Sequence, residues 1–163
     1  MLKTVHAESD VHLKAIRELF LEYASSLDFD LDFQDFGEEL AGLPGKYSPP
    51  EGRLILVETE IGFIGCVALR PLEDKICEMK RLYVRPEARG QGVGRLLGET
   101  IVREARRAGY HRMRLDTVEW MTEAKALYRS LGFATIAAYC YNPIEGAEYM
   151  ELLLQDPHTK TTC

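Results

Sequence analysis

The stretch "VRPEARGQGVGRLLGE", positions 84 to 99, places three glycines, Gly90, Gly92 and Gly94, on alternate positions where an amphipathic helix begins. Inside a helix glycine is roughly 0.5 to 1 kcal/mol worse than alanine, so the run implies that bare backbone is needed there. The leading N–H groups of a helix lack internal acceptors and carry the positive end of its dipole, which suits a pyrophosphate. Arg89 can add a charge-assisted bond. Two familiar phosphate loops are excluded by spacing: no Gly-x4-Gly-Lys-Ser/Thr string is present, and Gly94 follows Gly92 by two residues, not the three a dinucleotide fingerprint needs. A glycine-rich turn that simply packs a helix against a strand remains the alternative.

A second stretch, "AKALYRSLGF" at 124 to 133, carries Tyr128 on a helix that Gly132 stops. By spacing alone this tyrosine is a core residue. The cysteines (Cys66, Cys77, Cys140, Cys163) and histidines (His6, His12, His111, His158) are scattered without metal-ligand spacing, so no metal is expected and the thiols read as reduced structural groups.

The elements that position these residues follow from apolar periodicity. A first helix starts at Ser9 or Asp10, and a second short one falls in "DFQDFGEELAGL". Strands are predicted at Arg53 to Thr59, Gly62 to Arg70 and "ICEMKRLYV", then the glycine-led helix to Gly109. A strand "HRMRLDTV", a helix "MTEAKALYRSL" and strands "FATIAAYCY" and "AEYMELLL" complete the order, with residues 155 to 163 as a frayed tail. Strands alternating with helices in this way imply an α/β (α+β) single domain over residues 1 to 163, whose parallel strand pair binds ligands at its carboxyl ends. The length of 163 residues suffices for one self-supporting core. A net charge of −6 argues against a nucleic-acid partner, and the absence of a ~20-residue apolar run argues against a membrane span. The expected setting is the cytoplasm.

Together the two stretches resemble the GNAT superfamily of acetyl-CoA-dependent N-acetyltransferases. The family pattern Arg/Gln-x-x-Gly-x-Gly/Ala is matched by Arg89, Gly92 and Gly94, and Ala-x-x-Leu-Tyr-x-x-Leu-Gly-Phe by Ala124, Leu127, Tyr128, Leu131, Gly132 and Phe133. The resemblance in element order spans roughly Val5 to Leu154. It implies a mixed central sheet flanked by helices, its parallel pair splayed around the coenzyme. It also implies acetyl-CoA as cosubstrate, held by Leu82, Tyr83 and Val84 through main chain and by Arg89, Gly90, Gln91, Gly92, Val93, Gly94 and Arg95 at the pyrophosphate. One departure is Met121, which stands where the family often has an asparagine and cannot replace its hydrogen bonds.

Acetyl transfer needs a neutral amine, a stabilised oxyanion and a proton for the leaving thiolate. Neutralising a lysine-like amine at pH 7 costs roughly 4 to 5 kcal/mol, an α-amine only about 1.4 kcal/mol. The resemblance makes Tyr128 the acid and Glu78, on the strand beside the thioester, the base. The competing reading of Glu78 is an ion pair with a neighbour such as Lys80 or Arg81. Asp116, on the central strand "RLDTV", is read as a structural group that must be paired or hydrogen-bonded. The acceptor is expected to be a small cationic amine or peptide amine, met by Asp30 and Asp32 within "LDFDLDFQDFGEEL" and by Tyr139 and Tyr141. The opposing reading makes those acids a solvated face. A non-catalytic acetyl-CoA sensor and a nucleotide-binding protein are the competing functions, and a homodimer is left open.

Overall fold

The run Leu54-Ile55-Leu56-Val57 is apolar at every position, which a strand can satisfy only when both its faces are covered. In the computed structural model, which describes residues 1–31 and 35–154, that is how it sits. The strands in chain order are β1 (Lys3–His6), β2 (Arg53–Thr59), β3 (Gly62–Glu73), β4 (Ile76–Val84), β5 (Arg112–Val118), β6 (Ala134–Ile136) and β7 (Ala147–Leu153). The helices are α1 (Asp10–Ser25), α2 (Phe36–Ala41), α3 (Val93–Arg107) and α4 (Thr122–Ser130). Leu54 and Leu56 of β2 pack with Ile16, Leu19 and Phe20 of α1, whereas Ile55 and Val57 pack with Leu97 and Ile101 of α3. β3 repeats the alternation, with Cys66 and Ala68 towards α1 and Val67 and Leu69 towards α3.

The sheet order is β1-β2-β3-β4-β5-β7-β6, antiparallel throughout except for the parallel pair β4 and β5. That pair is short. Only Ile76, Cys77 and Glu78 are in register with Arg112, Met113 and Arg114, although β4 continues to Val84 and β5 to Val118. Beyond Glu78 the two strands part, and the expected splay lies at this point.

A bulge sits at the same place. Cys66 pairs with Tyr83 and Ala68 with Lys80, so Arg81 and Leu82 oppose Val67 alone, and Arg81 adopts φ 60°. The bulge reverses the alternation of β4. Cys77 and Met79 face α3 before it, Leu82 and Val84 face that side after it, and Tyr83 joins the α1 side. Simple alternation from "ICEMKRLYV" would instead put Glu78, Lys80, Leu82 and Val84 on one face.

Three expectations about elements need correction. β1 was not anticipated: it has four residues, and its pairing with β2 joins positions some fifty apart in sequence that local periodicity cannot see. The strand expected over "FATIAAYCY" covers only Ala134–Ile136, because the following residues leave the sheet to bond across its face. β3 runs past Arg70 to Glu73. Residues 32–34 of the expected second helix lie outside the described residues, and the observed α2 starts at Phe36. Among the described residues no helix is long and apolar enough to cross a membrane.

Candidate active site

Three adjacent spaces that share lining residues lie along the split between β4 and β5. A long groove of about 590 Å³ runs over the carboxyl end of β4. Leu82, Tyr83 and Val84 form one wall, and Arg89, Gly90, Gly92, Val93, Gly94 and Arg95 the head of α3. A narrow slot of about 70 Å³ continues between the parted strands, where Tyr128, Leu82, Lys80 and Asp116 meet. On the far side is a wider cavity of about 450 Å³, with Glu78, Lys80, Arg81 and Asp116 among its lining residues and Tyr141 and Cys140 at its mouth. Leu82 is common to groove and slot; Lys80, Arg81 and Asp116 are common to slot and cavity.

The loop at the head of α3 is shaped by two of its glycines. Gly90 (φ 79°) and Gly92 (φ 82°, the N-cap of α3) are left-handed, a conformation that disfavours side chains, and a Cβ at either would meet nothing within 4 Å. Gly94 is helical, and a Cβ there would make ordinary contacts with Leu127 and Val84. Arg89 is exposed, donates from Nε to the Val84 carbonyl at 3.0 Å and lies 5.8 Å from the Tyr83 ring centre. Arg95 donates to Ser130 at 2.6 Å. Gln91 is exposed and is not part of the groove lining. The register between β4 and β5 ends at Glu78, so the groove-side edge of β4 from Met79 to Val84 is open to another extended chain.

Tyr128 is buried against Phe133, ring centres 5.9 Å apart. Burial, then the neighbouring Tyr23 and Asp116, push its phenol well above the ordinary value of 10.0, so it is a neutral donor at pH 7. Glu78 is 1 % exposed. Its Oε1 accepts from Arg70 Nε at 2.8 Å and is ion-paired with the Arg70 terminal nitrogen at 2.7 Å, its Oε2 accepts from the Tyr139 hydroxyl at 2.5 Å, and Lys80 Nζ lies 4.0 Å away. Burial and this carboxylate raise the Tyr139 phenol. Asp116 accepts from Asn142 Nδ2 at 3.1 Å, with Lys80 Nζ at 3.6 Å from its other oxygen. The bulge turns Arg81 inward, where it donates twice to Glu39 at 3.0 Å while Tyr47 donates to the same carboxylate at 2.9 Å.

Of the residues expected at an acceptor site, Tyr141 lines the wide cavity and Tyr139 touches it through Glu78. Asp30 is exposed and lines none of the three spaces, and Asp32 lies outside the described residues. The cavity's exposed acids are instead Asp35 and Glu38. Arg70, the partner of Glu78, was missed because cross-strand register decides it: Arg70 stands directly opposite Glu78 on β3. Tyr23 and Trp120, which line the groove, carried no sequence signal beyond their apolar character.

A sheet opened at its one parallel pair, with a glycine-led helix at the opening, is the arrangement that the resemblance to the GNAT superfamily implies. A sequence model of the acetyltransferase (GNAT) family matches residues 13–133. The chain is 42% identical over 142 residues to an uncharacterized N-acetyltransferase of Schizosaccharomyces pombe, covering 86% of this chain and 87% of that one. An uncharacterized N-acetyltransferase of Dictyostelium discoideum is 31% identical over 189 residues, covering 78% and 88%. Among solved structures, a GNAT acetyltransferase of Staphylococcus aureus Mu50 superposes with a TM-score of 0.79 at 15% identity, over 95% of this chain and all of that one. The structure of yncA from Salmonella typhimurium, solved with its cofactor acetyl-CoA, gives 0.70 at 21% identity, over 99% of both chains. The protein belongs to the acetyltransferase (GNAT) family and is an acyltransferase.

Proposed function

We propose that this enzyme moves an acetyl group from acetyl-CoA to a primary amine by direct attack on the thioester, with Tyr128 as the acid. The observation that supports this most is the adjacency of groove, slot and wide cavity, which share lining residues in turn, with Tyr128 in the slot. The groove suits acetyl-CoA: left-handed Gly90 and Gly92 and the 15-residue α3 offer amides and a dipole to a pyrophosphate, with Arg89 and Arg95 beside them. The open edge of β4 offers main-chain pairing at Leu82 and Val84 to the pantetheine arm, and the backbone N–H of Leu82 is the donor assigned to the thioester oxygen.

The acceptor enters by the wide cavity, where Asp35 and Glu38 on the rim and the Tyr141 ring suit a cationic amine. Glu78, on the cavity floor, is the carboxylate that the sequence points to as proton acceptor. A buried phenol with a raised pKa is a weaker acid than the departing thiol, so Tyr128 supplies a proton efficiently only as it receives one from the attacking nitrogen. The unpaired buried thiols of Cys66 and Cys77 are consistent with a cytosolic setting.

The test is acetyl-CoA-dependent thiol release over a panel of polyamines, amino acids, aminoglycosides and basic peptides, run beside Tyr128→Phe. The expected result is turnover of one amine class and a kcat lowered about 10²- to 10⁴-fold in the variant, with acetyl-CoA affinity kept. Acetyl-CoA binding without transfer to any amine would replace the enzyme's assigned reaction with coenzyme sensing, and full activity of the variant would remove Tyr128 as the acid.

A further inference from the structure

We infer that Asp116, and not Glu78, is the catalytic carboxylate that takes the proton from the acceptor amine; this rests on the acetyl-transfer reading above. Three observations carry it. Asp116 lines both the slot and the wide cavity, and it is the only carboxylate among the described residues lining the slot. Glu78 lines the cavity alone.

The second observation is occupancy. A carboxylate offers about four lone-pair sites. Glu78 accepts from Arg70 Nε at 2.8 Å on one oxygen and from Tyr139 at 2.5 Å on the other, with the ion-paired Arg70 terminal nitrogen at 2.7 Å, so both its oxygens are engaged in tying β3 to the segment after β6. Asp116 accepts one hydrogen bond, from Asn142, and its second oxygen has only the Lys80 ammonium at 3.6 Å, beyond hydrogen-bond length. The third observation is the acid: Tyr128 lines the same slot, and the Asp116 carboxylate contributes to raising its phenol. Donor and acceptor of protons therefore flank one narrow passage. Asp116 is the less engaged of the two carboxylates: both oxygens of Glu78 accept a hydrogen bond, whereas one oxygen of Asp116 faces only the Lys80 ammonium at 3.6 Å.

The protons balance along this passage. The acceptor arrives as an ammonium, gives one proton to Asp116 and attacks the thioester carbonyl with the freed lone pair, forming the C–N bond. As the C–S bond breaks, the second nitrogen proton passes through the Tyr128 hydroxyl to the departing sulfur. Asp116 then releases its proton to solvent, so one ammonium and one thioester give one amide, one thiol and one proton.

The experiment compares wild type, Asp116→Asn and Glu78→Gln on the best acceptor of the amine panel and on an analogue fluorinated beside the amine, already neutral at pH 7. Asp116→Asn is expected to lose about 100-fold or more in kcat/KM on the basic amine but less than about tenfold on the weakly basic one. Acetyl-CoA affinity should be unchanged, and Asp116→Glu should recover part of the rate. Equal losses on both amines would make Asp116 structural and overturn the inference, as would a basicity-dependent loss in Glu78→Gln in its place. Where Asp116→Asn fails to fold, Asp116→Ser is read by the same criteria. A wild-type enzyme that acetylates no amine is a separate result, since it removes the underlying reaction and not the choice of carboxylate.

Discussion

Gly92 and Gly94 occupy one loop and one family pattern, yet the structure gives them opposite tolerance for a methyl group. Gly92 caps α3 at φ 82° and ψ 9°, with its carbonyl accepting the Leu96 N–H at 3.0 Å. Alanine in that left-handed well costs about 1 to 2 kcal/mol, offset by about 0.4 to 1 kcal/mol from a stiffer unfolded chain. The net loss, between about 0 and 1.6 kcal/mol and centred near 0.8 kcal/mol, lowers Tm by roughly 2 to 3 °C at its centre in a chain of this size. Gly94 is already helical, and its added Cβ would lie 3.7 Å from Leu127 Cδ2 and 3.9 Å from Val84 Cγ2, ordinary contact distances. Alanine there gains up to about 1 kcal/mol of helix propensity, which raises Tm by roughly 2 to 4 °C.

The two variants should separate in binding as well. The Gly92 Cβ would stand in the open groove and disturb the amides at the head of α3, so Gly92→Ala should weaken acetyl-CoA by about tenfold or more, a cost of about 1.4 kcal/mol. Gly94→Ala should bind within about threefold of wild type, a difference under roughly 0.7 kcal/mol. Thermal melts and titration calorimetry read both effects. A Gly94→Ala protein that melts below wild type, or a Gly92→Ala protein that melts with it, would refute the conformational reasoning. Equal losses of affinity would show that bare backbone at both positions meets the coenzyme.

Two further predictions concern the wide cavity. Arg81→Met strips the partly buried Glu39 carboxylate of both guanidinium bonds, and urea denaturation should show a loss of about 2 to 4 kcal/mol that Arg81→Met/Glu39→Gln partly recovers. A loss below about 1 kcal/mol would mean that Tyr47 and solvent suffice for Glu39. Cys140 stands at the cavity mouth, where partial burial and then Asp116 and Glu78 push its thiol from 9.0 to about 11. Because the shift favours the protonated form, thiolate at pH 8 is about a hundredfold scarcer than for an ordinary cysteine, and alkylation should keep rising with pH up to about 11. A labelling rate that levels off near pH 9 would show that the carboxylates do not act on this sulfur.

The class of the protein was written in local sequence. Glycines spaced by two at a helix start, and Leu-Tyr-x-x-Leu-Gly-Phe on a later helix, depend on backbone conformation and helical spacing, both fixed within a few residues. The same holds for the doubly covered strands β2 and β3, whose unbroken apolar runs announce two packed faces. What the sequence could not decide depends on partners far apart in the chain. The bulge at Arg81 turns a cation into the wall of the wide cavity and returns Leu82 and Val84 to the other face, which strict alternation would deny. The parting of β4 and β5 after three paired residues opens the slot. Cross-strand register sets Arg70 against Glu78, and the path of residues 137–146 brings Tyr139 to Glu78 and Asn142 to Asp116, so Glu78 accepts on both oxygens and Asp116 on one. A carboxylate's chemistry is set by who donates to it, and for Glu78 and Asp116 those donors come from strands and loops that only tertiary folding brings within 3 Å or so.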